Sequence, residues 1–153
     1  MKGRLNMNKL IFSATAAMAT LAATASANAV DEVANIKLKG YLGERLDAMI
    51  ERHVIGTDVD YITAAYQEKT ETKGWWQTEF WGKWMHSAVP YIAYTKSAKL
   101  QASVDHGIDR MIGSQEESGY IGNYPDELRC GEGWDVWGMK YTMMGLLHYW
   151  DDT

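Results

Sequence analysis

Apolar side chains recur along this chain at the helical period. Over residues 43–54, Leu46, Met49, Ile50 and Val54 mark one face, with Glu44, Arg45, Glu51 and Arg52 on the others. A weaker helix is predicted over 58–67, followed by a polar linker over 68–74. The next segment, 75–94, carries Trp75, Trp76, Phe80, Trp81, Trp84, Met85, Ala88, Val89, Tyr91 and Ile92. So little polar circumference predicts a helix buried on most sides. Pro90 stands late in it and predicts a kink or an early end near Val89.

Residues 98–115 read as an ordinary amphipathic helix, with Leu100, Val104, Ile108, Met111 and Ile112 on one stripe and the rest toward solvent. A glycine-rich stretch, Ser118-Gly119-Tyr120-Ile121-Gly122-Asn123-Tyr124-Pro125, and a polar run to Gly133 predict a long loop. A second strongly apolar helix is expected over 136–149. With two prolines and no sustained alternation, the chain is all-α. Alternation of buried and amphipathic helices points to layered helical hairpins; the helices of a four-helix bundle would all be similarly amphipathic. The closing helix has no following hairpin to cover it, so the chain reads as truncated at its C-terminal side.

Ahead of these helices, Lys2, Arg4 and Lys9 precede an alanine-rich apolar run over 10–23 and a small-residue end, Ala27-Asn28-Ala29. This is the pattern of a secretory signal peptide over residues 1–29, with no membrane anchor and a periplasmic or secreted product. Its removal takes away three basic residues and no acidic one, moving the formal charge from −5 to −8. An acidic chain without clustered Lys or Arg is a poor partner for nucleic acid.

Short motifs announce little chemistry here, because no phosphate-binding glycine loop, His-Glu-x-x-His or Cys-x-x-Cys occurs. His53, His86, His106 and His148 stand on separate predicted helices at no ligand spacing, and read as surface or half-buried histidines. The aromatic content says more: seven Trp and nine Tyr against two Phe. Rings that also carry an N–H or O–H donor suit sugars, which present flat C–H faces and hydroxyl rims. Helical spacing assigns Trp75, Trp76, Trp84 and Trp150 to the core, whereas Tyr120, Tyr124 and Trp137 flank loops and are candidate binding residues. Two carboxylates join them. Glu79 interrupts an apolar run, and Asp135 opens a helix between Trp134 and Trp137, where it either caps that helix or serves a site. Glu116, Glu117, Asp126, Glu127 and Glu132 read as solvated loop charges.

Four stretches carry a resemblance: Trp76-Gln77-Thr78-Glu79-Phe80-Trp81-Gly82-Lys83-Trp84, then Asp105 to Ile108, Gly119-Tyr120-Ile121-Gly122-Asn123-Tyr124-Pro125, and Asp135-Val136-Trp137-Gly138-Met139-Lys140-Tyr141-Thr142. In these the chain resembles the N-terminal part of the β-L-arabinofuranosidase family, glycoside hydrolase family 127. The resemblance implies an incomplete (α/α)6 barrel over residues 30–153 and a retaining enzyme acting on terminal β-L-arabinofuranose or a related plant cell-wall sugar. It also implies a zinc-held cysteine nucleophile and an acid/base glutamate, both beyond this chain. Cys130 is not at a matching position, so no catalytic residue and no zinc ligand is assigned here. The alternatives are a non-catalytic carbohydrate-binding or interaction module, and, with less weight, an unrelated helical-toroid enzyme such as a polysaccharide lyase. Export should give a mature N-terminus at Val30; intact mass of exported material retaining residues 1–29 would refute that assignment.

Overall fold

A computed structural model describes residues 35–69, 76, 78–131 and 133–152. The proposed signal peptide and Trp75 lie outside these residues. The described chain is all-helical: α1 (Gly40–Met49) continues into a π-helical turn (Ile50–Ile55), followed by α2 (Val59–Glu68), α3 (Thr78–Thr95), α4 (Ala98–Gly113), a 3₁₀ turn (Asp126–Leu128) and α5 (Asp135–Asp152).

Local chemistry sets the helix ends. Asp58 accepts from the Tyr61 amide at 3.0 Å and starts α2, and Ser97 Oγ accepts from the Leu100 amide at 3.2 Å and starts α4. Lys69 closes α2 in the left-handed region, φ 51°, its amide bonded to Ala65 O. In the π turn, the carbonyls that its wider winding displaces find partners elsewhere. Thr57 Oγ1 donates to His53 O at 2.7 Å, and Trp84 Nε1 donates to Val54 O at 3.0 Å, tying the turn to α3.

The helices form two layers. Contacts between α3 and α5 advance together along both chains, Thr78 against Gly138, Gly82 against Tyr141 and His86 against His148, so these two helices run parallel. Beneath them lie α2 and α4, running in the same sense as each other. Arg110 of α4 donates to Thr63 Oγ1 at 2.6 Å and pairs with Asp60 at 3.1 Å, while His106 meets Asp60 at 2.9 Å. The two-residue link Lys96–Ser97 reverses the chain from α3 into α4 and makes them a hairpin.

The core sits between the layers, where Tyr66, Trp81, Met85, Ala88, Leu100, Val104 and Met111 are fully buried. Glycines let α3 and α5 approach closely. A Cβ on Gly82 would lie 2.1 Å from Tyr141 O, one on Gly138 2.0 Å from Thr78 Oγ1, and one on Gly145 2.8 Å from the Trp81 ring. Tyr66 stitches three helices, its hydroxyl donating to Thr78 O at 2.5 Å and sharing a hydrogen bond with Thr142 Oγ1 at 2.8 Å. Burial pushes the Tyr66 phenol well above its ordinary pKa, so it stays a neutral donor. The Trp81 indole N–H is buried without a partner among the described residues.

Several expectations are corrected. Trp76, expected in the core, is 42% exposed, and Phe80 of the apolar run is 36% exposed. Of the two outcomes expected at Pro90, the early end does not occur, since α3 continues to Thr95. Pro90 and His86 are both exposed, so the carbonyl that loses its amide partner lies on a face open to water. Ile112 is 58% exposed; at ~100° per residue it stands about 120° round from Leu100, off the buried stripe. Trp150, expected in the core, is exposed, on the same uncovered side of α5 as Val136, Met143 and Leu147.

The glycine seam predicts opposite outcomes for two small changes. Gly82→Ala should lose about 1–3 kcal/mol because the added methyl meets a backbone carbonyl that cannot yield freely. Gly113→Ala meets nothing within 4 Å and should gain about 0.5 kcal/mol from helix propensity. Thermal or urea unfolding of the two variants measures both signs.

Candidate functional site

Residues 114–134 hold no long element, yet their polar groups are closely tied. The Asp135 carboxylate, only 2% exposed, accepts from the Tyr120 hydroxyl at 2.6 Å and from the Cys130 amide at 2.9 Å. The Tyr120 hydroxyl accepts in turn from the Tyr124 amide at 3.1 Å, and the Tyr124 hydroxyl from the Trp134 amide at 2.8 Å. Arg129 lies over the Tyr120 ring, 3.6 Å from its centroid, and donates to Tyr124 O at 2.9 Å and to Glu116 at 2.7 Å. Lys69 reaches in from the end of α2, donating to Gly122 O at 2.9 Å and pairing with Glu116 at 3.5 Å.

The electrostatics follow from that geometry. Arg129's hydrogen bond leads the influences that hold the Glu116 carboxyl below its ordinary range. Burial first, then the hydrogen bond to Asp135, pushes the Tyr120 phenol up. Glu116 is therefore no solvated loop charge, as its surroundings in sequence suggested; it is the carboxylate on which two cations from separate segments converge. Asp135 occupies the first turn of α5, where a negative charge is favoured, but its oxygens serve the loop. The backbone cap is Trp134, whose carbonyl accepts from the Gly138 amide at 2.8 Å. Asn123 is 1% exposed, and neither atom of its amide has a partner among the described residues.

Beside this knot, Glu79 and Trp137 form a second group. The Trp137 indole donates to Glu79 Oε2, and Lys83 pairs with Glu79 Oε1 at 2.8 Å. Burial opposes ionisation of Glu79, but the hydrogen bonds from Lys83 and Trp137 and the charges of Lys83 and Lys140 outweigh it, holding the carboxyl below its ordinary value. A carboxylate so held is an acceptor, not a proton donor, near neutral pH. Trp137 meets Trp134 at 6.1 Å and Tyr141 at 5.3 Å between ring centroids, and Lys140 lies 3.7 Å from the Trp137 centroid. The structure thus places Tyr120, Tyr124 and Asp135 together in the loop and Glu79 with Trp137 on the helices. Trp134 connects the groups, its amide on Tyr124 and its ring on Trp137.

Sequence reasoning missed the continuation of this second group. At ~100° per residue Glu79, Lys83 and His86 fall within about 60° on α3, and Trp137, Tyr141 and His148 within about 40° on α5. Across the parallel seam they pair as Glu79 with Trp137, Lys83 with Tyr141 (ammonium 5.0 Å from the ring centroid) and His86 with His148. Lys83 was within reach of sequence, four residues after Glu79. His86 and His148 are on separate helices and are exposed and half-buried, as expected, but their contact joins positions 62 apart and left no local signal in the sequence. Among the described residues no group of three His, Cys, Asp or Glu is placed to hold a metal, and Cys130 is exposed and stands alone. No family model, no curated protein and no solved structure matches this chain.

The Glu79 contacts carry a pH dependence of known sign. Because its folded pKa is lowered, its stabilising contribution is present above the unfolded glutamate value and is lost as pH falls through the folded one. Acid titration followed by tryptophan fluorescence should show a step below the ordinary glutamate range that Glu79→Gln abolishes. A step persisting in that variant would assign the change to another carboxylate.

Proposed function

We propose that these helices are neighbouring hairpins of an (α/α)6 barrel in an exported glycoside hydrolase acting on a plant cell-wall oligosaccharide, with β-L-arabinofuranose as the leading sugar. The observation that carries this reading is the row Glu79, Lys83, Trp137 and Tyr141 along the open side of α3 and α5. There, half-buried to exposed rings with polar edges adjoin a held carboxylate and two ammonium groups. Stacking on the rings and hydrogen bonding to the charged groups is the chemistry a sugar calls for. Parallel α3 and α5 over parallel α2 and α4 also suit successive inner and outer helices of such a barrel.

In this reading Tyr120, Tyr124 and Asp135 shape the loop at the mouth of the pocket, and Glu79 and Trp137 contact the sugar. The chain supplies binding residues, while the nucleophile, acid/base and zinc implied by the resemblance belong to other parts of the enzyme. One feature favours that division: the Glu79 carboxyl is held below its ordinary pKa, opposite to the raised value of a glycoside-cleaving acid. The same feature supports the second reading, a carbohydrate-binding module without catalysis.

The 153-residue chain should bind arabinofuranosides or plant-wall oligosaccharides weakly, with tryptophan fluorescence reporting the contact. Trp137→Ala and Glu79→Gln should each weaken binding about tenfold, the loss of one stacked ring or one hydrogen bond to a charged group. Trp150→Ala, on another face of α5, should leave binding intact. The chain should also fail to hydrolyse aryl β-L-arabinofuranoside with or without zinc and reductant. Turnover that follows the protein through purification and disappears in Glu79→Gln would overturn the division of roles, and absence of binding across the panel would remove the carbohydrate reading.

A further inference from the structure

The third pair of the seam row lies apart from the carbohydrate groups. His86 Nδ1 on α3 and His148 Nε2 on α5 face each other within hydrogen-bonding reach, with ring centroids 4.5 Å apart and planes tilted by 60°. His86 is exposed and His148 half-exposed, so neither ring is a core histidine filling space. Their backbones are held, because Gly82 and Gly145, at the centre of the seam, leave α3 and α5 no room to slide.

We propose that His86 and His148 form a two-imidazole site for a divalent transition ion of the zinc class. Where two neutral imidazoles meet nitrogen to nitrogen, one donates its N–H and the other accepts with its lone pair; in the tautomer that moves that proton to the far nitrogen, two lone pairs face the contact and repel. A zinc ion uses both. Each ring then carries its proton on the nitrogen remote from the metal, and the pair binds without changing its total proton count. At Zn–N distances of about 2.0–2.1 Å in a tetrahedral arrangement, the two nitrogens stand roughly 3.3 Å apart. Torsions of two rings at the surface reach that separation while the helix axes stay where the glycines place them. Two donors on fixed helices lose little freedom on binding, which is the condition for chelation by so few protein ligands. Water completes the coordination, since no third His, Cys, Asp or Glu joins the pair among the described residues. Imidazole nitrogen selects zinc, copper and nickel over magnesium and calcium, which require oxygen.

The test uses the full chain prepared without a polyhistidine tag, titrated with zinc chloride by calorimetry and by NMR of the histidine side chains. One ion should bind per chain, and the His86 and His148 ring resonances should move together. His86→Gln and His148→Gln should each weaken binding on the order of 10–100-fold, while His53→Gln, His106→Gln and Cys130→Ser leave it unchanged. Circular dichroism identifies any variant that loses its helices. The wild-type ring resonances test the site without any substitution. Zinc should also raise the thermal midpoint of the wild type and not of the double His86→Gln, His148→Gln variant, by mass action on the folded state. Stoichiometric binding that survives the double variant, half an ion per chain through a bridge between two copies, or wild-type ring resonances unmoved at millimolar zinc would each overturn the site.

Discussion

The approach of α3 to α5 governs most of what else the molecule does. Gly82, Gly138 and Gly145 leave the seam so close that an added methyl would strike the Tyr141 carbonyl, the Thr78 hydroxyl and the Trp81 ring respectively. Close-packed contacts are short-ranged, and helices that touch backbone to side chain have one register rather than several. From that register follow the pairings along the seam: Glu79 opposite Trp137, Lys83 opposite Tyr141 and His86 opposite His148. Tyr66 fixes the same register from below, because its buried hydroxyl needs Thr78 of one helix and Thr142 of the other at once.

Polar chemistry does for the loop what apolar packing does for the helices. Residues 114–134 bury few large apolar groups, and a segment of that length needs some other source of order. Asp135, Glu116 and Arg129 provide it, since hydrogen bonds with an ionised partner are roughly twice as strong as neutral ones. The left-handed backbone at Lys69, an unfavourable conformation for a residue with a side chain, places its ammonium against Gly122 and Glu116. The loop is thereby joined to α2 as well as to α5.

Three faces of α5 then have three uses. Gly138, Thr142, Gly145 and Tyr149 pack; Trp137, Tyr141 and His148 belong to the open row; Val136, Met143, Leu147 and Trp150 form an exposed apolar edge. A helix with apolar residues on two faces lacks the one-sided pattern of a surface helix. That is why its composition suggested burial on most sides. The open row, by contrast, keeps its polar groups and ring edges in contact with solvent.

Helix positions were legible in the sequence because the 3.6-residue period and the caps Asp58 and Ser97 are local properties, written within one or two turns. The stripe Leu100, Val104, Ile108 and Met111 and the glycine-rich loop were read for the same reason. The candidate residues Glu79, Tyr120, Tyr124, Asp135 and Trp137 could be named as unusual polar or aromatic groups beside apolar runs, but not grouped. Their grouping depends on which turn of α3 meets which turn of α5, and this is set by contacts between glycines and distant backbone that no periodicity encodes. The same holds for Glu116, made a shared ion-pair partner by segments on either side of it, and for His86 and His148, made neighbours by a register. Trp150 and the early helix end at Pro90 were misjudged because composition shows only that a side chain is apolar or a backbone donor is missing. Only the tertiary structure decides whether a neighbour or water faces the place where it stands.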